Sequence, residues 1–411
     1  MSSILIKNAK VVTPVETISN GYVLVEDGII VEIGSDTGDS SSFQAASRVL
    51  DAKGGVIIPG IIDIHTDAMD MEIVPRTGAD IPIPVAFREL ERKMSGCGFT
   101  TVFHSLHLGY DAADLQSRSR YSRREVFETV SRISAEPTLI NNKIHLRFEV
   151  SGVHAYDTCL DLMEKGHIHL LSVMDHTPGQ GQLSKETFFR YMASKGMTTE
   201  KAAIEYENRI NQPKIEGERL ERMIRCAYDN KIPIASHDDD TVEKVDFMHK
   251  LGVDICEFPI NLEAGRHAKA LGMHVAGGAS NILRGGSLSG NLSMKEAVLE
   301  KVVNILCSDY YPPSILHSVF LLNNREGLPL HESVNLASLN PAKATRIDSF
   351  TGSLETGKHA DMLLVRMLDE IPMITHTFVA GSAVFQANTK QPVAPRQSRE
   401  SNRISKEQAH A

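Results

Sequence analysis

The chain shows two kinds of hydrophobic pattern. Near both ends, apolar and polar positions alternate with a period of two, as in 21–34 and 374–386, which predicts half-buried strands. Asp27-Gly28 separates two such runs and predicts a β-hairpin turn. The middle of the chain instead has short continuous apolar runs between helical segments, a pattern typical of a parallel α/β fold.

Eight apolar runs in the middle region predict the strands of a (β/α)8 barrel. They are 56–66, 100–106, 144–151, 169–176, 232–239, 254–260, 274–280 and 305–311. The gap between the fourth and fifth runs is too long for one crossover helix, so we expect a helical insertion near 179–231. The count alone leaves a doubly wound open sheet as an alternative.

These patterns predict two domains. A TIM-like α/β barrel would span 58–345, and a small β-sandwich domain would combine 1–57 with 346–390. Residues 391–411 are polar and rich in charge, so we expect a flexible tail there.

Composition narrows the functional classes. With 43 Lys and Arg against 52 Asp and Glu, the net charge of −9 argues against nucleic acid as a partner. No apolar run is long enough for a membrane span and no secretory pattern opens the chain, which favours a cytoplasmic protein. Five scattered cysteines without a CxxC pair predict reduced thiols. A homodimer is the default expectation for the oligomeric state.

Metal-competent side chains stand at the carboxyl ends of several predicted strands. The first strand ends in His65-Thr66-Asp67, and residues two apart on a strand share a face, so His65 and Asp67 should converge. In a parallel barrel all these strand ends meet on one rim, where such barrels carry their active sites. The candidate ligands are His65, Asp67, Glu149, His176, His237 and Asp309.

Imidazole and carboxylate donors without thiolate suit Zn²⁺, Mn²⁺ or Fe²⁺ and argue against a structural zinc site. Six donors are too many for one tetrahedral ion, but they fit two ions that share a bridging carboxylate and a water. We therefore expect a divalent metal cofactor of two ions, with Zn²⁺ as the first candidate, and a water activated to hydroxide. Glu149 has an alternative partner in Arg147 or a loop cation.

A glycine-rich segment follows the seventh predicted strand. It offers backbone N–H groups, hydroxyls and one guanidinium, which together suit phosphate oxygens. The alternative is a flexible glycine loop with a surface arginine. Lys214, in the insertion, would add positive charge over the site unless it belongs to a solvated helix face. The candidate substrate-binding residues are Asn281, Arg284, Gly285, Gly286, Ser287 and Lys214.

The segment 59–65, after a β-rich leader, resembles the opening of the amidohydrolase superfamily. His65-Thr66-Asp67, in place of the usual His-x-His, resembles the PhnM family of the carbon–phosphorus lyase pathway. The resemblance runs from about 57 to 345. Further blocks that resemble this family are 174–180, 235–239, 257–259, 278–287, 289–291 and 308–310.

This resemblance implies a metal-bearing barrel with a β-sandwich built from both termini. It implies hydrolysis of a phosphorylated sugar, α-D-ribose 1-methylphosphonate 5-triphosphate, to the 5-phosphate and diphosphate in phosphonate catabolism. It carries over all six candidate ligands by position. Asp309 would also act as the catalytic general base or proton shuttle.

Three features depart from the family pattern. Ala68-Met69-Asp70 stands where Asn-Leu-Glu is expected, Leu288 replaces a histidine, and His176 falls on the fourth strand where the superfamily usually uses the fifth. A relative with a different leaving group therefore stays open. The main alternative is a C–N hydrolase on the same scaffold, a deacetylase, deaminase or cyclic amide hydrolase, which needs no phosphate cradle. A barrel that serves only binding or assembly is a third alternative, against which the complete ligand set argues.

Overall fold

The computed structural model describes residues 3–35, 46–76, 78–109, 119–286 and 292–388. The predicted tail and Ser287 of the predicted phosphate loop lie outside these described residues.

The two ends of the chain together build one eight-stranded sheet. Its order is β16-β15-β14-β5-β1-β2-β3, with β4 paired to β1, and β14 runs antiparallel to β5, which joins the two termini. The strands are β1 (Ser3–Val12), β2 (Thr17–Glu26), β3 (Ile29–Ser35), β4 (Arg48–Asp51), β5 (Val56–Pro59), β14 (Met362–Leu368), β15 (Ile371–Val379) and β16 (Ser382–Gln386).

The predicted hairpin at Asp27-Gly28 is confirmed. These two residues connect β2 to β3, where Glu26 pairs with Ile29. Both have positive φ, 46° for Asp27 and 86° for Gly28, which a type I′ turn requires at its two central positions.

A second sheet of eight parallel strands forms the predicted barrel. Neighbours in the sheet follow chain order, from the first strand, β6, to the last, β13, which distinguishes a barrel from a doubly wound sheet. The strands are β6 (Ile61–Thr66), β7 (Phe99–Leu108), β8 (Asn141–Glu149), β9 (Leu170–Met174), β10 (Ile234–His237), β11 (Ile255–Glu257), β12 (His274–Gly278) and β13 (Ile305–Cys307).

The barrel is closed at its carboxyl end by main-chain contacts between β6 and the residues that follow β13. The Asp309 N–H donates to the His65 carbonyl and the Asp67 N–H donates to the Asp309 carbonyl, each at 3.0 Å. Asp63 reinforces this seam, because one oxygen of its buried carboxyl accepts from the backbone N–H groups of His65 and Ser308, each at 3.2 Å. Closure therefore brings the ends of the first and eighth strands together.

Helices cover the outside of the barrel, and the layer between the helices and the barrel strands contains large buried side chains such as Phe87, Phe127 and Phe148.

All five cysteines are free thiols, as predicted. No helix in the described ranges has the length and apolarity needed to cross a membrane. The helices are α1 (Ala68–Ile73), α2 (Ile83–Gly96), α3 (Arg123–Ser134), α4 (Tyr156–Glu164), α5 (Lys185–Ser194), α6 (Thr199–Ile210), α7 (Glu218–Asp229), α8 (Val242–Lys250), α9 (Leu262–Ala270), α10 (Ala279–Arg284), α11 (Met294–Leu299), α12 (Ser314–Glu326), α13 (Leu330–Asn335) and α14 (Leu339–Ala344).

The predicted insertion between the fourth and fifth barrel strands consists of α5 and α6. Phe188, Met192 and Ala202 form a small separate core between these two helices. In contrast, α7 buries Leu220 and Met223 against the main core and is therefore the ordinary crossover helix. The extra element is thus shorter than the sequence predicts.

The predicted first strand, 56–66, is in fact two strands in different sheets. β5 belongs to the terminal sheet, β6 belongs to the barrel, and Gly60 lies between them. A Cβ built on Gly60 would lie 2.1 Å from Thr100 Oγ1 and 2.3 Å from Thr100 Cγ2. Only glycine, which has no side chain, lets the backbone between β5 and β6 approach β7 this closely.

Gly60→Ala is therefore expected to lower the free energy of unfolding by about 1–3 kcal/mol, the range for overpacked core positions. Urea denaturation of the purified variant would measure this loss. Thr100→Ala removes the two atoms nearest to the added methyl group, so the double variant should recover part of the stability. Strict additivity of the two substitutions would contradict the proposed clash.

Candidate metal centre

The floor of the site is a buried pair of histidines that share one carboxylate. His65, on β6, and His237, on β10, stack with ring centroids 5.6 Å apart. Their Nδ1 atoms lie 2.7 and 2.8 Å from the two oxygens of Glu257, which ends β11. Glu257 Oε2 also accepts from the Ser172 hydroxyl at 3.0 Å. Because both Nδ1 atoms donate to Glu257, both rings present Nε2 for another ligand.

The electrostatics of this floor follow from burial and from the shared carboxylate. Burial opposes ionisation of Glu257, but the surrounding histidines outweigh it and hold the pKa of Glu257 well below its usual range. Burial also acts against protonation of His65, yet the Glu257 carboxylate raises the pKa of His65. At His237 the burial dominates and lowers the pKa of the ring. Glu257 is thus a fixed anion behind two metal-competent imidazoles.

His176 extends the site toward solvent. It follows β9, the fourth barrel strand, as the sequence predicts. Its Nδ1 lies 2.7 Å from Glu149 Oε2, and its backbone N–H donates to Glu149 Oε1 at 3.1 Å. The Glu149 carboxylate thus orients His176, and the direct coordination of a metal by Glu149 stays a prediction. The alternative pairing of Glu149 with Arg147 is replaced by this contact.

Asp67 and Asp309 form the open side of the site. Asp67 Oδ1 lies 4.0 Å from His65 Nε2, so the predicted convergence of these two residues is confirmed. Burial raises the pKa of Asp309 to about 6, with His65 opposing and Asp67 adding to the rise. A carboxyl with such a pKa can accept and release a proton near neutral pH.

Asp238 completes the donor set. Its two carboxylate oxygens lie 3.6 Å from His237 Nε2 and 3.8 Å from His176 Nε2. Its φ of 54° is in the left-handed region, which aspartate tolerates better than most residues. Lys244, on α8, fixes this turn by donating to the carbonyls of His237 at 2.9 Å and Asp238 at 3.1 Å.

Among the described residues, three groups of three donors have one atom per residue within 4.8 Å of the others. One is the floor itself, formed by His65, His237 and Glu257. The other two, which we call the donor groups, are His65, Asp67 and Asp309, and His176, His237 and Asp238. Each mixes imidazole with carboxylate, and each imidazole is oriented by a buried carboxylate at Nδ1. This donor chemistry fits two divalent ions, as the sequence predicts.

The predicted substrate-binding residues that the structure describes lie on and just after α10, and in the loop between α6 and α7. Asn281 and Arg284 belong to α10, which directly follows β12, and Arg284 is exposed. Gly285 ends this helix with a φ of 83°, and Gly286 follows it. Lys214 Nζ lies 2.8 Å from Asp175 Oδ2, next to His176, which anchors its charge beside the metal donors.

Sequence reasoning assigned no role in the site to four residues that the structure places there: Glu257, Asp238, Arg147 and His107. Glu257 stands at a strand end like the predicted ligands, and this position was the available signal. Arg147 projects inward from β8 between His145 and Glu149, as alternation along a strand requires. His107 Nε2 lies 3.9 Å from Asp67 Oδ1 and therefore belongs to the site. His104 instead pairs with Asn142 at 2.8 Å in the core.

The chain is similar to known proteins along most of its length. Residues 287–384 match the model of the Amidohydrolase family. The chain is 33% identical to the alpha-D-ribose 1-methylphosphonate 5-triphosphate diphosphatase of Escherichia coli K12, over 93% of this chain and 100% of that protein. A 71-residue stretch, 16% of this chain and 15% of the relative, is 44% identical to a 5'-deoxyadenosine deaminase of Methanosarcina acetivorans. The crystal structure of A. niger ochratoxinase superposes with a TM-score of 0.64 at 15% identity, covering 93% of this chain and 95% of that one.

Sequence and fold thus agree on the class of protein: this is a metal-dependent hydrolase of the amidohydrolase superfamily. The similarity that spans the complete Escherichia coli protein is more specific than this class. The chain belongs to the PhnM family.

Proposed function

We propose that this protein hydrolyses α-D-ribose 1-methylphosphonate 5-triphosphate to the 5-phosphate and diphosphate, in phosphonate catabolism. The observation that supports this most is the full-length similarity to the Escherichia coli diphosphatase, combined with two groups of metal donors on one rim. In this reaction water attacks a phosphorus atom, the bond between the α- and β-phosphates breaks, and diphosphate leaves.

Bound divalent ions, with Zn²⁺ as our first candidate, would supply an activated water and positive charge against the phosphate oxygens. His65, Asp67 and Asp309 would hold one ion, and His176, His237 and Asp238 the other. Glu257 and Glu149 keep the three imidazoles oriented through their Nδ1 atoms. None of these orienting contacts uses the Nε2 lone pairs that ligation needs.

Asp309 would accept the proton that the attacking water loses. Its raised pKa and its place beside Asp67 on the open side of the site suit a group that takes up a proton and returns it to solvent. Arg284 and Lys214 would bind the phosphate oxygens from the two sides of the rim. Arg284 is exposed, and its planar guanidinium can donate two parallel hydrogen bonds to a phosphate, whereas the ammonium of Lys214 acts as a point charge.

Phosphorus NMR on metal-reconstituted protein incubated with the ribosyl triphosphate tests the proposal. Diphosphate should appear with the 5-phosphate in equal amounts, and a chelator should stop both. Release of single phosphate would mean a different bond is cleaved. No phosphorus product from a fully loaded enzyme would overturn the proposal and leave a C–N hydrolase as the next candidate to assay.

Arg284→Gln is expected to raise KM for the triphosphate by about 10-fold or more, because a charged hydrogen bond to phosphate is lost. Steady-state kinetics on the ribosyl triphosphate would measure it. Arg325→Gln is the matched control, since Arg325 is exposed at the carboxyl end of α12, the opposite end of the barrel from the site. Equal effects of the two substitutions would contradict a phosphate-binding role for Arg284.

A further inference from the structure

Arg147 places a guanidinium among the metal donors. The residue is 5% exposed and reaches inward from β8. Its Nη1 donates to Asp67 Oδ1 at 2.9 Å and lies 3.1 Å from His107 Nε2. Its Nη2 lies 3.4 Å from His237 Nε2. A permanent positive charge therefore touches one residue from each of the two donor groups.

The contact with His237 has a chemical consequence. His237 Nδ1 donates its proton to Glu257, so Nε2 carries the only lone pair of the ring. Arg147 has only donors and must use that lone pair. A metal ion at His237 Nε2 needs the same lone pair, so the two partners exclude each other.

The other contacts of Arg147 do not conflict with a metal. A carboxylate has several lone-pair positions, so Asp67 can accept from Nη1 and bind an ion at the same time. His107 Nε2 lies 3.1 Å from Nη1 and can accept from it without giving up any contact with His237. Asp67 and His107 can therefore hold the guanidinium in place after Nη2 has left His237.

We infer that Arg147 competes with a metal ion for the Nε2 lone pair of His237, and that the released Nη2 group contacts an anionic oxygen of the bound phosphate ester. The second half of this inference rests on the proposed function, and the first half does not. Arg147 then acts as a counter-charge for the carboxylates before metal binds and as a substrate contact afterwards.

Zinc titration against a chelating dye tests the competition. Arg147→Met removes the competing donor and the repelling charge, so the affinity for zinc should rise by about 10-fold or more. Arg123→Met is the matched control. Arg123 pairs with Asp70 at 2.8 and 3.1 Å and donates to the His107 carbonyl at 2.7 Å. None of its hydrogen bonds among the described residues goes to a side chain of the two donor groups, so its loss should change zinc affinity less than about twofold. Unchanged or weaker zinc binding in Arg147→Met would overturn the competition.

Arg147→Lys provides a second variant in case the methionine variant does not fold. The ammonium of lysine is a compact point charge and cannot contact Asp67 and His237 at the same time, as the planar guanidinium of arginine does. Zinc affinity should therefore rise by a smaller factor, about threefold, since one charged contact is weakened. Wild-type affinity in a folded Arg147→Lys protein would argue against the competition.

Binding of inorganic pyrophosphate to the zinc-loaded protein tests the substrate contact. Arg147→Met should weaken it by about 10-fold or more, and Arg123→Met should leave it within about twofold. Tighter zinc binding with unchanged pyrophosphate binding would overturn the substrate contact alone. Failure of the wild-type enzyme to cleave the ribosyl triphosphate would instead overturn the proposed function, while the zinc competition would stand.

Discussion

Glu257→Gln is expected to lower kcat/KM by about 10²–10⁴-fold and to reduce metal content, because one substitution disturbs two histidines that we propose as metal ligands. The carboxylate accepts from His65 Nδ1 and His237 Nδ1 together. An amide has only one oxygen, and its NH2 group would face the second ring. That ring would have to present a lone pair at Nδ1 and carry its proton on Nε2, which removes it as a ligand.

Metal analysis after reconstitution, together with steady-state kinetics, would measure the effect. Glu91→Gln is the control, because Glu91 is also buried but accepts from the Leu139 N–H and the Asn142 side chain, outside the site. It should lose stability and keep its metal. A Glu257→Gln protein with full metal content and turnover within tenfold of wild type would show that Glu257 does not orient the ligands.

Asp309→Asn is expected to lower kcat by about 10²–10⁴-fold, the contribution of a positioned proton-transfer group, while the fold survives. The contacts that close the barrel at this residue are made by its main chain, and asparagine retains them. Its φ of 59° is also tolerated by asparagine. The second donor group, with His176, His237 and Asp238, is left intact, so most of the metal should remain.

Circular dichroism, metal analysis and kcat together test this expectation. Asp63→Asn is the matched control, because burial raises the pKa of Asp63 to about 6 as well. Asp63 accepts from backbone N–H groups and does not belong to the donor groups found among the described residues. The Asp63→Asn protein should be less stable than the wild type, but its kcat should fall by less than about tenfold. Near-normal turnover in Asp309→Asn would remove the proton-transfer role.

The barrel could be predicted from the sequence because each strand carries its own signal. A short β-branched run, followed by a helical segment, is visible without knowledge of its neighbours. The boundary near Gly60 was missed because β5 and β6 form one continuous apolar run, and they differ only in the sheet with which they pair. Likewise α6 and α7 lie in one helical stretch, and only packing shows which belongs to the barrel.

The sequence by itself determined where the candidate site lies and which donor types it uses. The carboxyl ends of the strands in a parallel barrel meet on one rim in any loop conformation, so the six candidate ligands could be grouped from their positions on the predicted strands. They are His65, Asp67, Glu149, His176, His237 and Asp309.

Only the tertiary structure decided how the acidic and basic residues divide their roles. Glu149 and Glu257 stand behind the histidines, Asp238 stands among the donors, and Arg147 reaches His237. These roles depend on distances of a few ångströms between residues far apart in the chain, such as His65 and Glu257, which are 192 positions apart. Such distances are set by strand register and barrel closure, which no local pattern of residues encodes.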